Sequence, residues 1–296
     1  MFRESSFPHG QNNVSKLHVK TVLILLLVNL ALLSLALPKS EALYYDSYTH
    51  ALLDEHFTAT WCPSCRTDEP NVLKAYNEFA GSLFIVSYHV SDEWSNPSGD
   101  SMLAQYQAHT IPYHVFDGGY WVGKGGIYTT EMENPATRPV HRIGLAIRKV
   151  LHGSNLEYEG SVQEMDGEPF TGYVQVYITE NKLRSEGIEW NFVFRDFGVK
   201  QSLSMSPGAI VQFSGTWAIT SNVNAENLLV VAAVFDKSTT GYYGPYAVQA
   251  VDDSRSEQVI SEMLMPMGMT VVALVITFLA VFRIKWSAKG EFRKNC

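Results

Sequence analysis

The stretch "EHFTATWCPSC", residues 55–65, holds two of the three cysteines in a chain of 296 residues. Two cysteines with two residues between them are a redox pair, half of a metal site or a chance spacing. The preceding residues 51–60, "ALLDEHFTAT", mix apolar and β-prone types and read as a strand. From Cys62 onward Val72, Leu73, Tyr76, Phe79 and Ala80 recur at helical spacing, and Gly81 is placed to end the helix. Pro63 falls in the first turn, where its missing N–H costs nothing, and Pro70 falls inside the helix and kinks it. The pair therefore sits where a strand passes into a helix, and unpaired N–H groups at a helix start stabilise a thiolate. This predicts Cys62 as the exposed nucleophile. Cys65, one turn in and more buried, is then the thiol that resolves a mixed disulfide.

Two apolar runs bear on the compartment. Residues 21–37, "TVLILLLVNLALLSLAL", follow Lys16 and Lys20, the layout of a signal sequence. Residues 1–42 are thus expected to be a cytoplasmic n-region with a cleaved signal peptide or an uncleaved signal anchor. Residues 263–282 match the roughly 20 needed to span a bilayer. They are followed by a basic tail, 283–296, with Arg283, Lys285, Lys289, Arg293 and Lys294, which the positive-inside rule places in the cytoplasm. Residues from about 43 to 262 are then expected outside the cytoplasm, where disulfides persist. The net charge of −8 argues against nucleic acid as a partner, since phosphate binding needs a basic surface. A second CxxC, needed for a four-cysteine zinc site, is absent from the sequence.

Residues 82–90, "SLFIVSYHV", read as a buried strand, and a short helix is expected around Ser101 to Ala108. In 109–126 apolar residues lead to a "DGG" turn and a returning strand. A helix is expected over 139–151, with Val140, Ile143, Ile147, Val150 and Leu151 on one face and Gly153 as its stop. Residues 155–253 change character. Six or seven strand-like runs separated by turn residues suggest an antiparallel, immunoglobulin-like sandwich.

The motif Trp61-Cys62-Pro63-Ser64-Cys65, with Pro70 and Ile111-Pro112 in that order, resembles the thioredoxin superfamily over about residues 43–153. The resemblance implies a cis-proline at Pro112 beside the cysteines, with Pro112 and Trp61 shaping a substrate groove. It also places His56 where the family carries a buried acid that accepts the proton of the second cysteine, making His56 a proton relay. "EHFTATWC" and the late "VVAAVFD" give a looser similarity to the Omp28-related family of surface proteins.

The fold expectation is an α/β thioredoxin-like domain over 43–153 and an all-β immunoglobulin-like sandwich over 154–254. An N-terminal signal or anchor segment and a C-terminal transmembrane helix, 263–282, flank them. The functional expectation is a membrane-anchored extracytoplasmic thiol–disulfide oxidoreductase, with catalytic residues Cys62, Cys65, Pro112, Trp61 and His56. It needs no cofactor beyond the redox-active disulfide Cys62–Cys65. Its partners are protein thiol or disulfide substrates, the membrane, and a membrane or extracytoplasmic electron donor or acceptor. Two alternatives stand beside it. One is copper delivery, with the two thiolates joined by His56, His89 or His114. The other is a non-catalytic surface binding or scaffold protein.

Overall fold

A computed structural model describes residues 48–124, 128–239 and 241–255. Strand β1 (Leu52–Thr58) and strand β2 (Leu83–His89) are buried on both faces and run parallel, joined by helix α1 (Pro63–Glu78). Helix α2 (Pro97–Gln105) starts at Asn96, whose side chain accepts the Gly99 N–H at 3.0 Å, with Pro97 in its first turn. Strand β3 (Tyr113–Phe116) returns antiparallel to β1. It then pairs with β4 (Trp121–Gly123) across a turn where Asp117, Gly118 and Gly119 all take positive φ. Helix α3 (Tyr128–Thr137) follows.

The chain then becomes all strand: β5 (Ile143–His152), β6 (Asn155–Glu164), β7 (Phe170–Glu180), the short β8 (Leu183–Ser185) and β9 (Ile188–Trp190), β10 (Val193–Met205), β11 (Ile210–Ala218), β12 (Leu228–Asp236) and β13 (Tyr246–Asp252). Eight strands share one sheet in the order β13-β12-β7-β10-β2-β1-β3-β4. A second sheet, β11-β6-β5, packs on part of it, and β8 and β9 form a separate hairpin.

Strand β12 shows how the layers divide. Leu228, Val230, Ala232 and Val234 face the three-stranded sheet and pack with Ile143, Ile147, Leu156 and Val162. Leu229, Val231, Ala233 and Phe235 face the other way, into a core shared with Val72 and Ala75 of α1 and with Phe79 at its C-cap. A strand buried on both faces reads as a continuous apolar run, which is what "LLVVAAVF" is.

The expected fold class is overturned. Thirteen strands against three α-helices among the described residues make the fold predominantly β, not an α/β thioredoxin-like domain with a separate immunoglobulin-like sandwich behind it. Residues on both sides of position 153 share the large sheet. Its join is a parallel contact of Val193 with Ser87, closed by the Ser87 N–H donating to the Phe192 carbonyl at 2.8 Å. The described residues accordingly lie in one compact unit.

The helix expected over 139–151 is instead strand β5. Ile143 and Ile147, four apart, share a face under both a helical and a strand period. Val150, which the helical reading buries and the strand period turns to the other face, is 44% exposed. Gly153, read as a helix stop, is the left-handed turn residue between β5 and β6 (φ 59°). Among the described residues no helix is long and apolar enough to cross a membrane. The signal or anchor segment, the transmembrane helix expected over 263–282 and the basic tail lie outside the described residues.

Candidate functional site

Cys62 is the N-cap of α1. Its backbone is extended, Pro63 occupies the first turn, and its sulfur accepts the Cys65 N–H at 3.2 Å. No acidic residue stands in that first turn, so no local carboxylate offsets the positive end of the helix dipole. Cys62 and Cys65 are joined in a disulfide, with their Cα atoms 5.2 Å apart. Cys62 is 4% exposed and Cys65 fully buried. The Ser64 hydroxyl lies 3.2 Å from the Cys62 sulfur, and the Ile111 carbonyl lies 3.9 Å from it. The Ile111–Pro112 peptide is cis, so Pro112 stands at the start of β3 next to the disulfide. Trp61 is 55% exposed, and its indole N–H donates to the Val90 carbonyl at 2.9 Å.

The walls of this site come from distant parts of the chain. Cys62, Cys65 and Ala59 form one small core with Trp190 and Val193, and Trp94, Ile111, Leu183 and Ile188 pack against it. The β8–β9 hairpin therefore covers the disulfide. Arg66 in α1 reaches Glu186 in the hairpin's turn at 3.8 Å. The sequence alone names no residue of 155–253 as catalytic, because Trp190 lies far from the CxxC in the chain and carries no motif. A second clamp comes from the loop after β2. Asp92 accepts from the Thr60 N–H at 2.8 Å and the Trp94 N–H at 3.0 Å, and lies 2.6 Å from His89 Nδ1. Burial pushes the Asp92 carboxyl up, but these bonds and the His89 charge outweigh it and hold it below its ordinary value.

Behind the disulfide is a buried polar cluster. His114 on β3 lies between two carboxylates, with Nδ1 2.9 Å from Asp54 and Nε2 3.1 Å from Asp68. Burial opposes charge on the ring, but the two carboxylates win and hold its pKa at about 10. The Tyr128 hydroxyl also donates to Asp54, at 3.2 Å. His56, the expected proton relay, lies stacked on His114 with ring centres 4.3 Å apart and planes 3° from parallel. Burial, then the charges of His114 and His89, hold His56 well below its ordinary value, so it is neutral. Its Nδ1 meets the Ser87 hydroxyl at 3.3 Å, and its Nε2 has no hydrogen-bond partner among the described residues.

His56, Asp68 and His114 each bring one potential ligand atom within 4.8 Å of the others. Two parallel stacked imidazoles, however, aim their in-plane lone pairs along parallel lines rather than at a common point. As placed, the trio is an ion-paired core. Of the histidines of the copper alternative, His114 is held through both ring nitrogens by Asp54 and Asp68, whereas His89 and His56 are held through Nδ1 by Asp92 and Ser87 and have no hydrogen-bond partner at Nε2 among the described residues.

Two acids that the sequence reading passed over complete the site. Asp68 and Glu69 lie on the buried face of α1 with Cys65, Val72 and Ala75. Extending the apolar stripe from Val72 back by three, four and seven places lands on them and on Cys65, a signal that was available in the sequence. Glu69 Oε1 accepts the Asn191 N–H at 2.9 Å, while Oε2 is buried without a hydrogen-bond partner among the described residues. Burial, with Asp68 adding to it, raises the Glu69 pKa to about 8 against the opposing Asn191 bond and His114 charge.

No family model matches the sequence, and no curated protein matches it. Among solved structures, the chain is similar to HBP35 of Porphyromonas gingivalis, with a TM-score of 0.56 at 14% identity over 70% of this chain and 76% of that one. A protein of Agrobacterium tumefaciens matches at a TM-score of 0.47 and 14% identity, over 69% of this chain and 94% of that one. A domain of the outer membrane lipoprotein Omp28 of Porphyromonas gingivalis matches at 0.27 and 18% identity, over 38% of this chain and 88% of that one. At 14% identity the likeness to HBP35 is one of fold alone.

Proposed function

We propose that this chain is an extracytoplasmic, membrane-held thiol–disulfide oxidoreductase that acts on protein disulfides through Cys62 and Cys65. The observation that carries the reading is the placement of the Cys62 sulfur at the N-cap of α1, hydrogen-bonded by the Cys65 N–H and bonded to Cys65. In the reduced form that N–H and the helix dipole stabilise a Cys62 thiolate. The thiolate attacks a substrate disulfide, forming a mixed disulfide and releasing one substrate thiolate. Cys65 then attacks the Cys62 sulfur, which restores Cys62–Cys65 and releases the second substrate thiolate. Run backwards, the same steps oxidise a substrate dithiol. The cis Ile111–Pro112 peptide lies beside the Cys62 sulfur, with the Ile111 carbonyl 3.9 Å from it, and the adjoining residue Trp61 is exposed, so a substrate chain approaches on this side. The apolar runs at 21–37 and 263–282 support retention at a membrane, and an intact disulfide fits a compartment outside the cytoplasm.

The test is substrate trapping with the full chain. Cys65→Ala should accumulate mixed disulfides with extracytoplasmic proteins, and Cys62→Ala should abolish exchange. Failure of Cys65→Ala to trap any partner, together with no exchange by the wild type on a model disulfide, overturns the reading.

A further inference from the structure

A thiolate exchanges with a disulfide only when the two sulfurs can meet nearly in line with the bond that breaks, so access decides which disulfides react. Cys62 is 4% exposed. Leu183, Ile188, Trp94 and Ile111 pack against the small core that Cys62 and Cys65 form with Ala59, Trp190 and Val193. We propose that the β8–β9 hairpin selects substrates, admitting disulfides borne on flexible, unfolded polypeptide and turning away those held on folded surfaces, an inference that rests on the oxidoreductase reading of this site.

The hairpin has one face for the disulfide and one for solvent. Leu183 stands opposite Trp190 and Ser185 opposite Ile188, so these four side chains share a face. From that face Leu183, Ile188 and Trp190 lie on the disulfide core. Arg184 stands opposite Glu189 on the other face, where the two form an exposed ion pair at 3.1 Å. A two-stranded hairpin alone is marginal in water, so packing on the disulfide core is what holds this one in shape.

The hairpin is also braced at both ends. At its base Asn181 Oδ1 accepts the Phe192 N–H at 2.7 Å, and Asn191 Oδ1 accepts the Lys182 N–H at 3.1 Å. Asn181 donates its own N–H to the Asn227 carbonyl at 2.9 Å. Lys182 and Phe192, which flank the hairpin, are held at φ 60° and 58°, a left-handed region that bulky side chains disfavour. Backbone so placed persists only where its surroundings enforce it, and it gathers at functional sites. At the far end Arg66 reaches Glu186 at 3.8 Å. Glu93 bonds Ser185 and accepts the Thr60 hydroxyl at 3.0 Å, so one carboxylate spans the hairpin and the segment that leads into Cys62. These ties make the hairpin a standing wall rather than a lid, and a substrate must fit the opening it leaves beside Ile111. A folded carrier brings bulk on every side of its disulfide, whereas a flexible chain presents the disulfide alone.

The test uses the reduced full chain and one disulfide-closed loop in two settings: free as a short peptide, and displayed with the same sequence on the surface of a folded domain. Alkylation and mass spectrometry follow the opening of each loop. Dithiothreitol, which has no wall, supplies the intrinsic ratio of the two rates. Relative to that ratio, the wild type should favour the peptide at least about tenfold. Leu183→Ala combined with Ile188→Ala thins the wall and should lower the preference at least about fivefold, whatever happens to the absolute rates. Should the double variant lower the thermal midpoint by more than a few degrees, either single variant replaces it, with a smaller fall in the same direction. A wild-type ratio equal to that of dithiothreitol overturns the selection, and a variant ratio equal to the wild type's overturns the hairpin's part in it. Both results leave exchange itself standing. No opening of either loop by the wild type overturns the exchange reading, and this assignment with it.

Discussion

Asn191 donates its backbone N–H to Glu69 at 2.9 Å, so a residue beside the β8–β9 hairpin is tied to the helix that begins at the disulfide. The partners are 122 positions apart in the chain. Burial has removed the Glu69 carboxyl from water, and the single bond only partly offsets the loss. This makes the protonation of the interior a determinant of stability.

The first prediction concerns pH. Glu69 and Glu55 are both raised by burial, to about 8 and about 7. In Glu55 the hydroxyls of Tyr106 and Tyr88 oppose the rise. Each binds its proton more tightly when folded, so the stability it contributes is full below about pH 4.5 and is lost as pH rises through its folded value. His114, raised to about 10, adds a loss between about pH 6.5 and 10. Urea midpoints of the wild type should therefore fall from pH 5 to pH 9. Glu69→Gln should recover on the order of 2 kcal/mol of that fall. A flat profile in the wild type would contradict the assignment.

Removing His114 leaves Asp54 and Asp68 buried without their shared cation. His114→Ala should cost about 3–5 kcal/mol at neutral pH, the expense of an uncompensated buried charge. Chemical denaturation reads it.

Trp190 is among the largest fully buried side chains and packs against Cys65. Trp190→Ala should lose about 3–5 kcal/mol. After reduction it should also let a small alkylating reagent reach Cys65, which mass spectrometry of the tryptic peptide would show. Unchanged labelling of Cys65 would mean that the hairpin does not cover it.

The disulfide should contribute little to holding the fold together. Cys62 and Cys65 are three positions apart, and closing so short a loop is worth about 2 kcal/mol by chain entropy. Reduction should therefore lower the thermal midpoint by only about 4–8 °C. A far larger drop would make the pair a structural staple.

The local chemistry was legible because it is local. Pro63, Cys62 and Gly81 punctuate α1 within a few residues of one another, and the structure has that helix run from Pro63 to Glu78. Ile111-Pro112 could be singled out for the same reason. Period alone could not separate helix from strand over 139–151, since Ile143 and Ile147 satisfy both. The joined sheet was not legible at all. It depends on Ser87 meeting Val193 and Phe192, residues more than a hundred positions away with no pattern that names their partner. Glu69 went unremarked because "RTDEPN" looks like a solvated helix face until the segment around Asn191 covers it.

The narrow join between β2 and β10 also limits how this protein can be taken apart. A fragment ending near residue 153 would keep both cysteines, yet it would bare the edge of a wholly buried strand and strip Trp190 from the sulfur. Shuffling the cysteine-bearing half into another gene would thus deliver a sticky, unfinished part. The two halves are expected to have been inherited and altered together.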